Sequence, residues 1–349
     1  MKKKLTIILA LLLLFFAGLY IIKEDPFTKK GTFSKTNYYL DTVNTVTIID
    51  VKEKDQAKIL SDVDNTIRDI HNEMSLQQSS SNINKLNDKA GIEPVKVSND
   101  IYNIIDKSIK YSKLTDGTFS TAVGPLTLLW GIGGESPKVP TKEEIDKVLP
   151  LLNYNDIVLN EKEHTIFLKK KSMKIDLGGI AKGYCADKLA RQLKSKGVKN
   201  AIINLGGNIY VYGKNQKDKN FTVGIQDPSA SNQEVMGQVT LTNKSVVTSG
   251  IYERYIEKDG KIYHHMLDPK TGYPFENNLS SVTIISDNSV DGDSLSTSTY
   301  GLGLEKGMNF INSLDGVDAI FITKDKKVYV TKNIKNILKI TKKNYHLAN

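Results

Sequence analysis

An uncharged apolar run at the N-terminus sets the first constraint on this chain. Residues 5–22 carry no charged side chain, and they follow three lysines, Lys2 to Lys4. Eighteen helical residues rise about 27 Å, roughly the thickness of a hydrocarbon core. The lysines favour an orientation with the N-terminus inside the cell. We therefore predict an uncleaved membrane anchor over 1–22, with a cleaved signal peptide as the alternative, and in both cases an extracytoplasmic location for the remaining chain.

Composition excludes several classes of protein. The 349 residues are 39% hydrophobic and 25% charged, which is ordinary for a folded protein and unlike a disordered, collagenous or coiled-coil chain. The net charge falls from +9 to +6 when the three N-terminal lysines are left out, and no basic block remains, so we expect no nucleic-acid partner. The single cysteine, Cys185, excludes an intramolecular disulfide and a zinc site built from several thiolates.

The pattern after the anchor predicts a mixed fold. Residues 23–36 are polar and contain Pro26 and Gly31, which is typical of a linker, and 37–340 form the predicted exported domain. Apolar residues at helical spacing predict helices over 55–72, 99–114, 141–152, 180–196 and 305–314. Strand-like patterns occur at 43–49, 165–168, 173–176, 201–212, 221–225, 235–241, 246–247, 319–323 and 327–331. Because these elements do not alternate strictly as βαβ units, we predict an α+β class.

The densest candidate motif runs from Asp176 to Asp187. A strand is predicted to end at Asp176, two glycines follow, and a helix begins near Ile180 with Lys182 in its first turn. The free N–H groups and positive dipole end of such a helix attract an anion. The spacing matches neither the dinucleotide-binding fingerprint nor the P-loop, and an ordinary strand-to-helix turn is the alternative.

A second motif contains two histidines, His264 and His265, followed by Asp268, Pro269 and a Thr-Gly-Tyr-Pro turn. A histidine and a carboxylate three residues apart could accept a proton from an attacking hydroxyl. A structural hydrogen bond from His265 is the alternative.

The third motif spans 291–299 and clusters Asp293 with Ser296 and Thr297. Oxygen ligands this close together suit a hard cation such as Mg²⁺. The alternative is a Ser/Thr-rich cap for a helix beginning near Ser294.

Another turn, over 115–131, carries Phe119 and Trp130. Their rings could stack on a planar ligand, although a core position is the default for such residues.

Taken together, these segments resemble the FAD:protein FMN transferases, the ApbE-type flavin transferases. The resemblance extends from about Tyr39 to Gly303 and rests on eight landmarks in order: 40–42, Glu73-Met74-Ser75, 117–131, 176–187, 204–208, Ser249-Gly250, 265–274 and 293–297. It implies a two-lobed, T-fold-like α+β architecture with FAD between the lobes. It also implies transfer of FMN from FAD to a threonine or serine hydroxyl of a protein, with release of AMP.

The resemblance also assigns roles to individual residues. The residues implied to hold FAD are Leu40, Thr118, Phe119, Ser120, Asp176, Lys182 and Leu267. Those implied to hold Mg²⁺ are Asp293, Thr297, Ser296 and the carbonyl group of Gly179. His265, or Asp268, is the candidate base. The implied acceptors are exported or membrane-bound redox proteins.

Three departures from the family pattern affect the acceptor more than the substrate FAD. Leu40-Asp41-Thr42 stands where the family has Met-Gly-Thr, Ser120 replaces an aspartate, and Met74-Ser75 is not followed by a tyrosine. Two alternative functions therefore stay open: an FAD pyrophosphatase that gives FMN and AMP, and a membrane-tethered flavin-binding protein without turnover.

Overall fold

The computed structural model describes residues 29–230 and 234–349. The predicted anchor at 1–22 lies outside these ranges. Within them, no helix is both long enough and apolar enough to cross a membrane.

Seven helices and seventeen strands are described, and they confirm the α+β class. The helices are α1 (Glu53–Met74), α2 (Asn82–Asp88), α3 (Asn99–Leu114), α4 (Gly124–Trp130), α5 (Lys142–Val148), α6 (Ala181–Ser195) and α7 (Ser289–Asn312). The first ten strands are β1 (Lys30–Tyr39), β2 (Thr42–Lys52), β3 (Val95–Lys96), β4 (Ile157–Asn160), β5 (Thr165–Leu168), β6 (Asn200–Leu205), β7 (Asn208–Tyr212), β8 (Phe221–Gln226), β9 (Val235–Leu241) and β10 (Lys244–Gly250). The others are β11 (Tyr255–Lys258), β12 (Lys261–His264), β13 (Leu279–Ser286), β14 (Val317–Thr323), β15 (Lys327–Val330), β16 (Leu338–Ile340) and β17 (His346–Leu347).

A nine-stranded sheet forms the centre of the protein. Its order is β1-β2-β6-β7-β10-β13-β14-β15-β17, and its pairs are antiparallel except for β15 with β17. Alternate residues face opposite sides of a strand. Val46 and Ile203 therefore pack with α1 and α6 on one face, whereas Val211 and Ile285 pack on the other face with the small sheet β16-β9-β8. The division into two lobes around a nucleotide stays a prediction.

Two turns and the end of one strand meet at one end of the strands of this sheet. The β1–β2 turn, the β6–β7 turn and the C-terminal end of β10 lie together because the strands are antiparallel and in register. Leu40 and Asp41 both have φ of 55°, the left-handed conformation of a two-residue hairpin turn. A Cβ atom on Gly206 would stand 2.2 Å from Thr42 Oγ1, so only glycine permits the contact between the first two turns.

The structure corrects three predicted boundaries. The linker prediction is wrong from Lys30 onward, because that segment pairs with β2 as strand β1. The segment 173–176 is extended but forms no ladder, since the Asn87 side chain and the Thr121 carbonyl take its backbone hydrogen bonds. The strand predicted over 201–212 is a hairpin that turns at Gly206-Gly207, both with positive φ.

The helix boundaries agree more closely with the predictions than the strand boundaries do. The predicted capping box is present, since Thr141 Oγ1 accepts from Glu144 N at 3.2 Å and Thr141 N donates to Glu144 Oε2 at 2.9 Å. Helix α7, however, begins at Ser289, so the Ser294 cap is wrong. Ser294 and Ser298 instead donate to carbonyl groups one turn earlier in the helix. Gly303, at φ of 75°, breaks α7 into two parts.

Candidate active site

The start of α6 and the second turn of α7 bring a carboxylate and an ammonium group together. Asp293 is buried, and its Oδ2 accepts a hydrogen bond from Gly183 N at 2.9 Å. Its Oδ1 lies 3.7 Å from Lys182 Nζ, which also donates to the Gly178 carbonyl at 3.4 Å. The backbone of the first turn of α6 therefore fixes Asp293 Oδ2. Asp293 Oδ1 faces the Lys182 ammonium group, which is too far away for a hydrogen bond.

The two helices meet at Gly183 with no room for a side chain. A Cβ atom there would lie 2.3 Å from Ser289 O and 2.6 Å from Val290 Cα. The buried Asp187, one turn further along α6, accepts from Ser289 N at 2.7 Å and from Val290 N at 3.0 Å. It therefore caps the N-terminus of α7, whose own Asn288 provides no side-chain cap. Burial raises the pKa of Asp187, and these two N–H groups oppose that shift.

Hydroxyl groups lie next to Asp293. Ser249, near the end of β10, donates to Ser296 Oγ at 2.8 Å and lies 3.3 Å from Thr297 Oγ1. Ser296 donates to the Asp293 carbonyl at 3.0 Å. The predicted cation ligands of α7 are thus brought into one cluster, joined by Ser249.

The loop before α6 packs against an aromatic ring, that of Phe119. Phe119 is buried, and a Cβ atom on Gly179 would stand 3.2 Å from its ring. Asp176 accepts from Gly178 N at 2.8 Å, and its backbone N–H donates to the Thr121 carbonyl at 3.0 Å. The segments carrying Phe119 and Asp176 are therefore neighbours, as the predicted FAD site requires.

His265 is half-buried and is held by one carbonyl group. Arg254 O accepts from His265 N at 3.0 Å and lies 3.2 Å from His265 Nδ1. A carbonyl oxygen can only accept, so Nδ1 carries the proton and Nε2 keeps its lone pair. Burial lowers the pKa of His265 to about 4, with the Arg254 charge adding to the shift.

Arg254 also joins this segment to the β1–β2 turn. Its Nη2 donates to the Asp41 carbonyl at 3.1 Å, and its side chain packs against Gly133. The neighbouring Glu253 is exposed to solvent, and the protein atoms around it reduce the hydration of its carboxylate. The resulting loss of hydration raises the pKa of Glu253 to about 7; Lys182 and Arg254 oppose this shift, and Asp293 adds to it.

The other predicted base is Asp268, and its carboxylate forms hydrogen bonds within its own turn. Its carboxylate accepts from Lys270 N at 2.9 Å and from Thr271 Oγ1 at 3.2 Å. Leu267, predicted to hold FAD, is buried with Trp130, whose Nε1 donates to the Gly272 carbonyl at 2.9 Å. Asp268 thus shapes the turn that follows His265, and Trp130 takes the core position expected by default.

The remaining residues that were predicted to bind FAD differ in burial and in the hydrogen bonds that they form within the protein. The hydroxyl of the buried Ser120 donates to the Leu152 carbonyl at 3.1 Å. Thr118 is half-buried, with its methyl group near Gly301. The Leu40 backbone N–H donates to His71 Nδ1 at 3.2 Å. The Ser120 hydroxyl is therefore hydrogen-bonded in the protein interior. Leu40 lies on the β1–β2 turn, which Arg254 contacts through the Asp41 carbonyl.

The donor set near Asp293 fits a hard cation. In the described ranges, no three His, Cys, Asp or Glu side chains are grouped as metal ligands. One buried carboxylate with free acceptor capacity and the hydroxyl groups of Ser296 and Thr297 instead provide an incomplete set of oxygen ligands. Such a set suits Mg²⁺ when phosphate oxygens and water complete the coordination.

Sequence reasoning missed Glu253, Arg254 and the capping role of Asp187. Glu253 and Arg254 lie three and four residues after Gly250 of the Ser249-Gly250 landmark, and no local pattern marks them. Asp187 was noted only as the end of a motif. A buried acid four residues after Gly183 on the same helix face was its available signal.

Most of the described chain is similar to known proteins. Residues 40–321 match the ApbE family. An FAD:protein FMN transferase of Klebsiella pneumoniae is 40% identical over 258 residues, which span 74% of this chain and 80% of the relative. A Treponema pallidum protein of the same name is 34% identical over 75% of this chain and 76% of its own length.

Solved structures agree with these relatives. The ApbE protein of Thermotoga maritima superposes with a TM-score of 0.81 at 28% identity, covering 88% of this chain and 99% of that one. The flavin transferase ApbE of Vibrio cholerae gives a TM-score of 0.79 at 25% identity, covering 88% and 100%.

Proposed function

The chain belongs to the ApbE family and transfers FMN from FAD to a protein, and from this premise we propose that the transfer requires Mg²⁺ and ends on a threonine or serine hydroxyl. The observation that carries this proposal is the position of Asp293, buried and bonded to Gly183 N at 2.9 Å at the start of α6. A carboxylate beside a helix N-terminus and Lys182 would repel a bare phosphate, but it suits a phosphate that arrives with a divalent cation.

Asp293 and Thr297, with Ser296 and the Gly179 carbonyl, are the residues that would hold the cation. Mg²⁺ would supply charge neutralisation at the pyrophosphate, which phosphoryl transfer needs more than covalent help. Lys182 and the first N–H groups of α6 stabilise the same charge from the protein side. Asp176 and Phe119 orient the nucleotide along the loop before α6.

His265 removes the proton from the acceptor. Its Nε2 is unprotonated because Nδ1 donates to Arg254 O. The acceptor oxygen forms a bond to the FMN phosphorus while the pyrophosphate P–O bond breaks and AMP leaves. The hydroxyl proton moves to Nε2. With a pKa of about 4, His265 is ready to accept it throughout the neutral range.

The apolar run 5–22 supports a location for this reaction. We propose that it anchors the chain in the cytoplasmic membrane, with residues 37–340 on the extracytoplasmic side. Exported or membrane-bound redox proteins are then the acceptors. Protease protection of the catalytic part in intact cells would contradict this arrangement.

The full chain, purified in detergent, allows a direct test. It is incubated with FAD and a flavoprotein exported by the same cell, with or without Mg²⁺. We expect AMP release and an FMN-sized mass gain on the acceptor, both abolished by a chelator. AMP and free FMN with unmodified acceptors would instead identify a pyrophosphatase, and FAD binding without AMP would identify a carrier.

A further inference from the structure

We propose that one end of the central sheet binds the anionic headgroups of the membrane that anchors the chain, and so turns His265 away from the bilayer. This surface is called the lysine-rich end below, and it consists of residues 29–30, 50–54, 196–200, 213–220, 243–244 and 286–287. The inference rests on the anchoring by residues 5–22 that we propose above, and it is independent of which hydroxyl group accepts FMN.

The ladders of the central sheet place these segments together. β1 begins at Lys30, which is opposite Lys52 at the end of β2. β6 begins at Asn200 and β10 at Lys244, and their partners in the neighbouring strands lie at the same end. β13 ends at Ser286, beside the start of β10. Antiparallel pairing therefore gathers six separate segments on one surface.

The loop after β7 folds over the start of β1. Lys214 N donates to Asn200 Oδ1 at 2.8 Å, and Gln216 Nε2 donates to Thr32 Oγ1 at 2.8 Å. These two hydrogen bonds hold the loop against β6 and β1. The exposed Lys217 and Lys219 of the same loop are thereby added to the lysine-rich end.

The lysine-rich end carries most of the net charge of the described ranges. Four of the 48 basic and two of the 39 acidic side chains precede Lys29, so the described ranges have a net charge of +7. The lysine-rich end contains ten lysines and four acidic residues, a net charge of +6. Two of the four acids are already paired, Asp50 with Lys30 at 2.9 Å and Asp287 with Lys244 at 2.7 Å.

Several of these lysines are available to a partner. Those that are exposed and form no ion pair within 29–230 and 234–349 are Lys52, Lys199, Lys217 and Lys219. The sequence has no basic block, so only the tertiary structure concentrates this charge. A concentrated positive surface attracts a polyanion.

The position of the apolar run identifies the polyanion. The run ends at Ile22, and the seven residues 23–29 before β1 can span at most about 25 Å. The start of β1, and with it the lysine-rich end, therefore lies within that distance of the bilayer surface. Lysines beside a membrane segment are attracted to anionic lipids over a Debye length of about 8 Å. The occupant we commit to is a bilayer surface that contains anionic phospholipid.

The opposite end of the same strands carries the reacting group. β1 has ten residues, which gives it a length of about 33 Å. The turn after it presents the Asp41 carbonyl to Arg254, whose own carbonyl accepts from His265. Residues 40–42, 205–208 and 250–254 at this end contain two acids and one base. An anionic bilayer therefore attracts only the lysine-rich end, and acceptors must present their hydroxyl group about 30 Å further out.

The full chain in lipid nanodiscs tests this orientation. One set of nanodiscs contains phosphatidylcholine only, and the other contains about one-third phosphatidylglycerol. A neutral reagent acetylates the lysines, and mass spectrometry follows the rate at each position. Lys52 and Lys199 report on the lysine-rich end, whereas Lys258 and Lys270 report on β11 and on the turn after His265. FMN transfer to a flavoprotein is measured on the same nanodiscs.

We expect phosphatidylglycerol to slow acetylation of Lys52 and Lys199 at least about threefold and to leave Lys258 and Lys270 unchanged. The triple variant Lys214→Gln, Lys217→Gln, Lys219→Gln should lose most of this protection. The matched control, Lys162→Gln, Lys169→Gln, Lys171→Gln, changes the charge equally around β5 and should keep the protection. Neither variant should alter FMN transfer, because none of these lysines contacts the candidate active site.

Equal acetylation rates in the two lipids would overturn the inference, as would an equal loss of protection in both triple variants. A chain that does not stay with the nanodiscs would show that residues 5–22 do not anchor it, and would overturn the anchoring and the inference together. Absence of FMN transfer in nanodiscs that do show the protection would count against the proposed reaction alone.

Discussion

Arg254 O and His265 Nδ1 lie 3.2 Å apart, and the same oxygen accepts from His265 N at 3.0 Å. This pair of contacts fixes both the position of the ring and its tautomer, because a carbonyl oxygen cannot donate. The unprotonated Nε2 is the atom that a general base needs.

Replacing His265 by asparagine should therefore remove the base and keep the contact to Arg254 O. We expect the turnover number for FMN transfer to fall by about 10²–10⁴-fold, with little change in FAD affinity. His264→Gln is the matched control: His264 is buried, its Nε2 bonds to Phe275 O at 3.0 Å, and its ring packs edge-on against Tyr300. That control should lower the melting temperature more than the rate. Equal losses of rate in both variants would contradict the assignment.

Glu253 should make the ligand-free protein less stable as the pH rises from about 4.5 to 7. Its folded pKa is raised to about 7 from an ordinary 4.5, so its contribution is complete below pH 4.5 and is lost as the pH rises through 7. The lowered pKa values of His264 and His265 have the opposite effect, because they make the folded protein more stable as the pH rises from about 4 through 6.5.

A comparison with Glu253→Gln therefore isolates the effect of Glu253, because both proteins contain the two histidines. We expect the melting temperature of the unaltered chain to decrease, relative to that of Glu253→Gln, as the pH rises from about 5 to 8. Glu257→Gln, on the exposed face of β11, serves as the control and should follow the unaltered chain. Parallel curves for all three proteins would show that Glu253 does not titrate in this range.

Asp293 should control the dependence on Mg²⁺. Asp293→Asn keeps an oxygen for Gly183 N but loses the charge that a cation needs, so we expect AMP release to become insensitive to Mg²⁺ and to fall at least about 100-fold. Asp291→Asn, two residues earlier on α7, is the control, since Asp291 pairs with Lys107 at 3.0 Å and accepts from the Tyr111 hydroxyl. A Mg²⁺ titration of AMP release distinguishes the two. Full activity in Asp293→Asn would refute the metal assignment.

Gly183→Ala should separate α6 from α7. A methyl group would lie 2.3 Å from Ser289 O, and overpacking of this kind costs about 1–3 kcal/mol of unfolding free energy. Because Gly183 N also positions Asp293, we expect a higher Mg²⁺ requirement as well as lower stability. Gly197→Ala is the control for backbone strain, since its φ is 77° and a Cβ atom there meets nothing within 4 Å. Denaturant unfolding and the Mg²⁺ titration together test this; a variant with unaltered Mg²⁺ dependence would show that the helix contact does not position Asp293.

Local sequence determined the elements whose signals are short in range. The Thr141 capping box, the helix that begins after Gly179 and the apolar stripes of α1 and α3 were all predictable, because each depends on residues three or four apart. The motifs also identified Asp293 and His265 as candidates, since their chemistry is recognisable from residue type and spacing.

Tertiary structure decided which of these residues meet and which are free to react. Residues 30–36 are polar enough to resemble a linker, yet they form part of strand β1 because β2 supplies a partner. Asp268 and His265 look equally suited to accept a proton, but the turn uses the Asp268 carboxylate and Arg254 leaves His265 Nε2 free. Asp187 caps a helix 102 residues away, and Arg254 reaches a turn 213 residues earlier. Hydrogen bonds over such separations depend on how the sheet and the helices pack, and no spacing within one segment encodes them.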